Sequence, residues 1–296
     1  MNQDLWAALL LISIYGICVA GVFQCLRGHF SIAVSAAVAV PLCQAIISCL
    51  FQIGFLSGLT ALSPALAICF ALACLFYVRR NGGALAKDGG RVISFLKSQL
   101  PVCLVLLPTL AYAFAQVLLL HPDNHDALAY HLPRVFLFIQ QESLFLSAFS
   151  RYHQAVFPVA ADILFLPFIQ FNTLQGLGIF SLTSYLSIGA GAYALARRHV
   201  SKRIAASVAL LVLSLPMPAL QSVSVKNDLL MAAAGTAALL LALAPATAKS
   251  ATRLFIFALL CSFGVGCKST FIAFLPGLAA VLFIRWKLYQ LESVLA

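Results

Sequence analysis

Nine apolar runs, each near the length a helix needs to cross a hydrocarbon core, divide this chain. No water reaches the backbone inside a bilayer, so a spanning segment must satisfy its own hydrogen bonds, which a helix does. The runs are Leu5–Cys25, Phe30–Ile53, Leu59–Val78, Leu100–Leu120, Gly176–Ala196, Ile204–Val223, Leu229–Pro245, Leu254–Cys267 and Thr270–Ile284, the last three being short. Hydrophobic residues make up 63% of the sequence, charged residues 9%, and the mean hydropathy is +1.03, which excludes a single globule folded in water. The expected fold is all-α: a polytopic transmembrane helix bundle of about nine spans with a juxtamembrane helical outer loop.

No basic segment precedes the first run, and that run outlasts a signal-peptide core, so it reads as a retained anchor. The nine cysteines fall within or at the edges of the runs, and none lies between 121 and 175. That placement argues against a disulfide framework and against a cysteine metal site.

A net charge of +10 would suggest nucleic acid as partner of a soluble protein. Here the basic residues gather in short connections between runs, which is the signature of membrane insertion, and no nucleic-acid partner is expected. Arg27, the Arg79–Lys97 group, Arg197 to Arg203, Lys249, Arg253, Arg285 and Lys287 share one side if the N-terminus is outside. That side is then the cytoplasm. Val156–Phe171 is also apolar, but it has only about sixteen residues and contains Pro158 and Pro167. Counting it as a span would reverse the Arg197 cluster, so it is expected to be interfacial or re-entrant, within one long outer loop from His121 to about Gln175 that lies on the membrane. Asp123, Asp126, Glu142, Asp162 and Asp228 map to the outer face, while Asp88 and Glu292 sit inside.

From Asp126 the sequence turns amphipathic, with Leu128, Leu132, Val135, Phe136 and Ile139 on one stripe and Asp126, Tyr130 and Arg134 at four-residue spacing on another. Pro133 removes a backbone donor, so the helix either kinks there or starts there. An isolated aspartate at such a place most often caps a helix. Asp162, however, lies inside an apolar segment, where an unpaired carboxylate costs several kcal/mol and so needs a partner or a task. His121 and His125 have the spacing of a metal pair that Asp123, Asp126, His131 or His153 would complete, but Pro122 disfavours a regular helix between them. Lys226 and Asp228 read equally well as a helix-end cap and ion pair, and Lys268 as a snorkelling side chain. Lys268-Ser269-Thr270 lacks the glycines of a nucleotide-binding loop, since Cys267 and Phe263 stand in their places.

Asp126 with Tyr130 four positions on, then Tyr152, Pro158 and Asp162, is similar to the first outer loop of the GT-C membrane glycosyltransferases. Ala196-Arg197-Arg198 ending a run, Lys226-Asn227-Asp228 opening a helix, and Gly264-Val265-Gly266-Cys267-Lys268-Ser269 resemble later stations of bacterial members, among them aminoarabinose and lipopolysaccharide-core sugar transferases related to protein mannosyltransferases. The likeness covers roughly Leu100 to Ile284. It implies an inverting transfer of sugar from a polyprenyl-phosphate carrier to a glycan, lipid or protein acceptor, at the periplasmic or extracellular face of a bacterial inner membrane. By position Asp126 is implied as the base and Asp162 as the second acid, which orients the acceptor or a divalent cation used by some members. Lys268 is implied to meet the carrier phosphate with Arg134 beside Asp126, while Tyr130, Tyr152, His153 and Asp228 complete the substrate contacts. Residues 1–98 are expected to form an accessory bundle closed by a basic loop with Gly82-Gly83 and Gly89-Gly90, and 99–296 the transferase module, stopping short of the family's full set of helices. The alternative is a transporter or lipid flippase of envelope glycan precursors, against which stand the lack of an inverted repeat and the clustering of charge at one face.

Overall fold

A computed structural model describes residues 3–244 and 250–295; Pro245, Lys249 and the Glu292 side chain lie outside what it describes. Every regular element among the described residues is helical. In chain order the α-helices are α1 (Gln3–Arg27), α2 (Ile32–Leu56), α3 (Leu62–Arg80), α4 (Gly82–Ser98), α5 (Leu100–Leu119), α6 (Leu132–Gln141), α7 (Tyr152–Val156), α8 (Leu166–Gln170), α9 (Ile179–Ala196), α10 (Lys202–Leu213), α11 (Pro216–Gln221), α12 (Asp228–Ala242), α13 (Ser250–Cys267) and α14 (Leu275–Leu295).

The centre is built from α2, α9 and α12, whose facing residues are small. Ala37, Ala39 and Ala45 of α2, Ser184 and Ser187 of α9, and Ala233, Ala234, Ala237 and Ala238 of α12 are all buried. Small side chains bring helix backbones close, the packing mode available where no hydrophobic effect drives association. A Cβ on Gly191 of α9 would lie 2.4 Å from the Thr236 methyl of α12. Pro41 interrupts α2 and cannot donate to the Ala37 carbonyl one turn earlier; the Ser187 hydroxyl donates to it instead, at 2.7 Å. Buried Gln44 ties the same helices together, donating to the Phe180 carbonyl at 3.0 Å and to the Tyr15 hydroxyl at 3.1 Å. The boundary expected at residue 98 therefore does not coincide with a break in packing: α2 lies at the core of the bundle rather than in an accessory unit.

Four helices, α1, α2, α3 and α9, are long and apolar enough to cross a membrane, and α4 with α5, bent by 118° at their junction, would make a fifth. Ile68, Leu72 and Phe76 on α3, and Leu104 and Leu107 on α5, are exposed, a surface suited to hydrocarbon rather than water. The nine expected runs do not all form single long helices. Ile204–Val223 is broken after Leu213, because Pro216 can only start a new helix, and α12 has 15 residues. The expected basic loop at Arg79–Lys97 is helical in α4. Its glycines are offset by tertiary anchoring, since Asp88 is buried against Arg27 of α1 at 2.7 Å, and by the Asp88–Arg91 pair within the helix at 3.2 Å.

The Val156–Phe171 segment is not a span, as expected, but neither does it lie on a surface. After α7 it forms a 3₁₀ turn, Asp162–Phe165, and the short α8, with Ile163, Leu164, Phe165 and Leu166 fully buried. Irregular backbone at such depth requires partners from the protein itself. Ser48 of α2 donates to the Ala160 carbonyl at 2.9 Å, and the Ala160 amide donates to the Gly266 carbonyl at the end of α13, also at 2.9 Å.

Charge separates by bundle end. Arg198 donates to the Leu240 and Leu243 carbonyls at the C-terminal end of α12, whose first residue is Asp228. Arg27 lies at the α1 terminus opposite Asp4, whose carbonyl accepts from Thr173 near the start of α9. Asp126, Asp162, Lys226 and Lys268 share the Asp228 end.

Candidate functional site

Pro133 shapes the loop that carries most of the site. It cannot donate one turn back to the Ala129 carbonyl, and the chain takes a π-helical turn over Ala127–His131 in which the Leu132 amide reaches the Ala127 carbonyl. The Ala129 carbonyl accepts from the side-chain amide of buried Gln154 at 3.4 Å, while the Gln154 oxygen accepts from the Ser150 and Arg151 amides. α6 then begins with Pro133 in its first turn.

The wider turn alters which residues share a face. Arg134, expected beside Asp126, points inward instead. It is 1% exposed, donates to the Phe157 carbonyl at 2.6 Å and the Pro158 carbonyl at 2.8 Å, and forms an ion pair with Asp162. Leu132, Val135 and Phe138 are its buried neighbours on α6, whereas Leu128 and Phe136, expected on one apolar stripe with Leu132 and Val135, are exposed. Asp162 is fully buried and has two partners, Arg134 and the Nδ1 of His131, the latter at 2.6 Å. Burial opposes its charge, but Arg134 and His131 outweigh that and hold its carboxyl below the usual range. Asp162 is therefore shut off from the surface, where the resemblance implies an acid that orients the acceptor or a cation, and it meets the cleft lining through His131 and, by way of Arg134, through the Phe157 and Pro158 carbonyls.

In front of this buried trio lies a cleft of about 330 Å³ lined by Asp126, Tyr130, His131, Phe157, Pro158, Lys226–Asp228 and Lys268–Thr270. Two ion pairs cross it. Lys226 meets Asp126 at 2.8 Å, and Lys268 meets Asp228. The Lys226 hydrogen bond is the main cause of a lowered Asp126 pKa. Tyr130 is pushed up to about 12, by burial first and then by Asp126, Asp162 and Asp228. Its ring packs against His153 and edge-on to Phe157. Gly264 and Gly266 lie inside α13, where their bare backbone admits Phe271 and Ala160.

Of the residues singled out from the sequence, Asp126, Tyr130, Asp228 and Lys268 converge on the cleft. Asp162 and Arg134 lie behind it, His153 packs on its lining residues Tyr130 and Phe157, and Tyr152 is 69% exposed and lines no part of it. Lys226, read as the ion partner of Asp228, pairs instead with Asp126. In sequence His131 reads only as a candidate metal ligand, and its place after Tyr130 gives no hint that a π turn aims it at Asp162. Among the described residues no group of three or more His, Cys, Asp or Glu side chains is placed to hold a metal ion, so the His121/His125 arrangement is not formed. A second cavity, about 180 Å³, lies between α5, the 120–124 segment, the turn before α9 and residues 220–225.

No protein-family model, curated protein or solved structure matches this chain.

Proposed function

We propose that this protein is an integral membrane transferase that moves a sugar from a polyprenyl-phosphate carrier to a hydroxyl of a cell-envelope glycan, lipid or protein. In this reading α10 with α11, and α12, α13 and α14, also cross the bilayer, giving the nine-span topology, and the arginine-rich end faces the cytoplasm of a bacterial inner membrane. The cleft then opens on the opposite side.

The observation that carries this reading is the meeting of Lys226 and Lys268, from separate parts of the chain, on one cleft beside the apolar Phe157 and Pro158. An inverting transfer breaks the bond between sugar C1 and the phosphate oxygen, and the charge arriving on the phosphate needs cations placed in advance. Both lysines are held by carboxylates only 29 to 36% exposed, so an incoming phosphate can exchange places with Asp126 and Asp228. The charged side chains gather at the two ends of the bundle rather than along a route between them, which supports transfer over translocation. The test is consumption of lipid-linked sugar by membranes containing the protein, supplied with a panel of polyprenyl-phosphate sugars. Turnover of at least one is expected, with Lys268→Ala and Lys226→Ala each raising the donor KM tenfold or more. Transport of an intact lipid-linked sugar without bond cleavage would favour the flippase.

A further inference from the structure

The transfer leaves one proton to be placed, that of the acceptor hydroxyl, and two side chains on the cleft offer to take it. Asp126 is the one the sequence resemblance implies. Its carboxylate is engaged by Lys226 at 2.8 Å, which lowers its proton affinity. His131 also lines the cleft, and it is placed differently.

The His131 side chain is 1% exposed, with Nδ1 2.6 Å from Asp162. Asp162 is ionised beside Arg134, so Nδ1 carries the hydrogen and donates it, leaving the lone pair on Nε2. Nε2 is buried and has no partner. Buried polar atoms without a partner are rare in folded proteins, and on a residue that lines a cleft such an atom calls for a polar group of a ligand. A carboxylate that fixes the tautomer of an imidazole and shares the charge when it becomes imidazolium is the arrangement that makes histidine a general base. Arg134 holds that carboxylate in turn from the Phe157 and Pro158 turn that forms the cleft wall.

We infer that His131, oriented by Asp162, is the general base of the site: its Nε2 takes the proton of the acceptor hydroxyl. This rests on the transferase reading of the cleft. In the step the acceptor O–H bond breaks and its proton passes to Nε2. The oxygen forms a bond to sugar C1, and the C1–O bond to phosphate breaks with its electron pair on the phosphate, which Lys226 and Lys268 receive. His131 returns the proton to water after product leaves. Asp162 is a positioning residue. The charged and titratable groups around the imidazole are Asp162 and Arg134 behind it and Asp126, Tyr130, Lys226, Asp228 and Lys268 across the cleft.

Two measurements test this. In membranes given the polyprenyl-phosphate sugar panel, His131→Ala is expected to lose a hundredfold or more of kcat with donor KM changed less than threefold, and added imidazole to restore part of the loss. The Asp126→Asn loss is expected to be untouched by imidazole. A His131→Ala protein within threefold of wild-type kcat, or a folded one that imidazole does not rescue, overturns the inference. Wild-type failure on every donor overturns the transferase reading instead. Independently of substrate, nitrogen-15 NMR of histidine-labelled protein, assigned with His131→Gln, is expected to show a hydrogen-free Nε2 at His131. A hydrogen on Nε2, with Nδ1 bare, overturns the inference whatever the reaction.

Discussion

Asn227 donates its side-chain amide to the Cys267 carbonyl at 2.7 Å, and this contact spaces the two ion pairs of the cleft. Asn227 stands between Lys226 and Asp228, and Cys267 precedes Lys268, so one hydrogen bond joins the start of α12 to the end of α13 where all three charges emerge. Cys267 belongs to the last turn of its helix, where carbonyls lack intrahelical donors. Asn227→Leu is expected to cost about 1 kcal/mol of stability and to raise the donor KM more than it lowers kcat. Thermal unfolding in detergent and donor-dependence of turnover check the two parts separately.

Removing Asp162 leaves Arg134 charged and buried. Asp162→Asn is expected to lose about 3 to 5 kcal/mol, the cost of breaking a buried pair, while Asp162→Leu together with Arg134→Met loses less than Asp162→Asn alone. Unfolding of the three proteins under one condition decides it.

The same pair sets an acid limit. Because the folded protein holds the Asp162 carboxyl below its ordinary range, its contribution is fully present above that range and disappears as pH falls through the lowered value. Wild-type stability is expected to fall between about pH 5 and pH 2, and Asp162→Asn to show a shallower fall over that window. A parallel pair of stability-against-pH curves would contradict this.

Gln154 satisfies the carbonyl that Pro133 leaves open. Gln154→Leu is expected to cost about 1 to 3 kcal/mol, since a buried acceptor loses its donor. It also loosens the π turn, so the His131 NMR signal should broaden or shift even though Gln154 does not touch the ring. An unchanged signal would separate the turn from the placement of His131.

A methyl group added at Gly266 would stand 2.9 Å from the Ala160 Cβ, across a backbone hydrogen bond between the same two residues. Gly266→Ala is therefore expected to destabilise by about 1 to 3 kcal/mol and to weaken donor binding by moving Lys268 away from the opposite wall. Gly82→Ala, where no atom lies within 4 Å of the added carbon, serves as the control and should leave stability equal or slightly higher.

The helices α1, α2, α3 and α9 were legible as long apolar runs because nothing but helix satisfies a backbone surrounded by hydrocarbon. Asp126, Tyr130, Asp228 and Lys268 were legible because charged and phenolic groups are scarce among so many apolar residues. The place expected for Arg134 fails for a local reason: a four-residue spacing assumes an unbroken α-helix, and the π turn before Pro133 breaks it. The burial of residues 160–166 left a trace in sequence only as Asp162, an acid in apolar company whose partners lie on another segment.

The sequence alone determined that the chain is helical and apolar-surfaced, and which of its segments carry the rare charges, since composition and run length act locally. Only the tertiary structure decided that Lys226 pairs with Asp126 rather than Asp228, and that His131 rather than Arg134 stands at the cleft with Asp162 behind it. Those outcomes depend on one added residue in a helical turn and on contacts between distant segments, and pair distances of a few ångströms are fixed by packing that no single stretch of sequence contains.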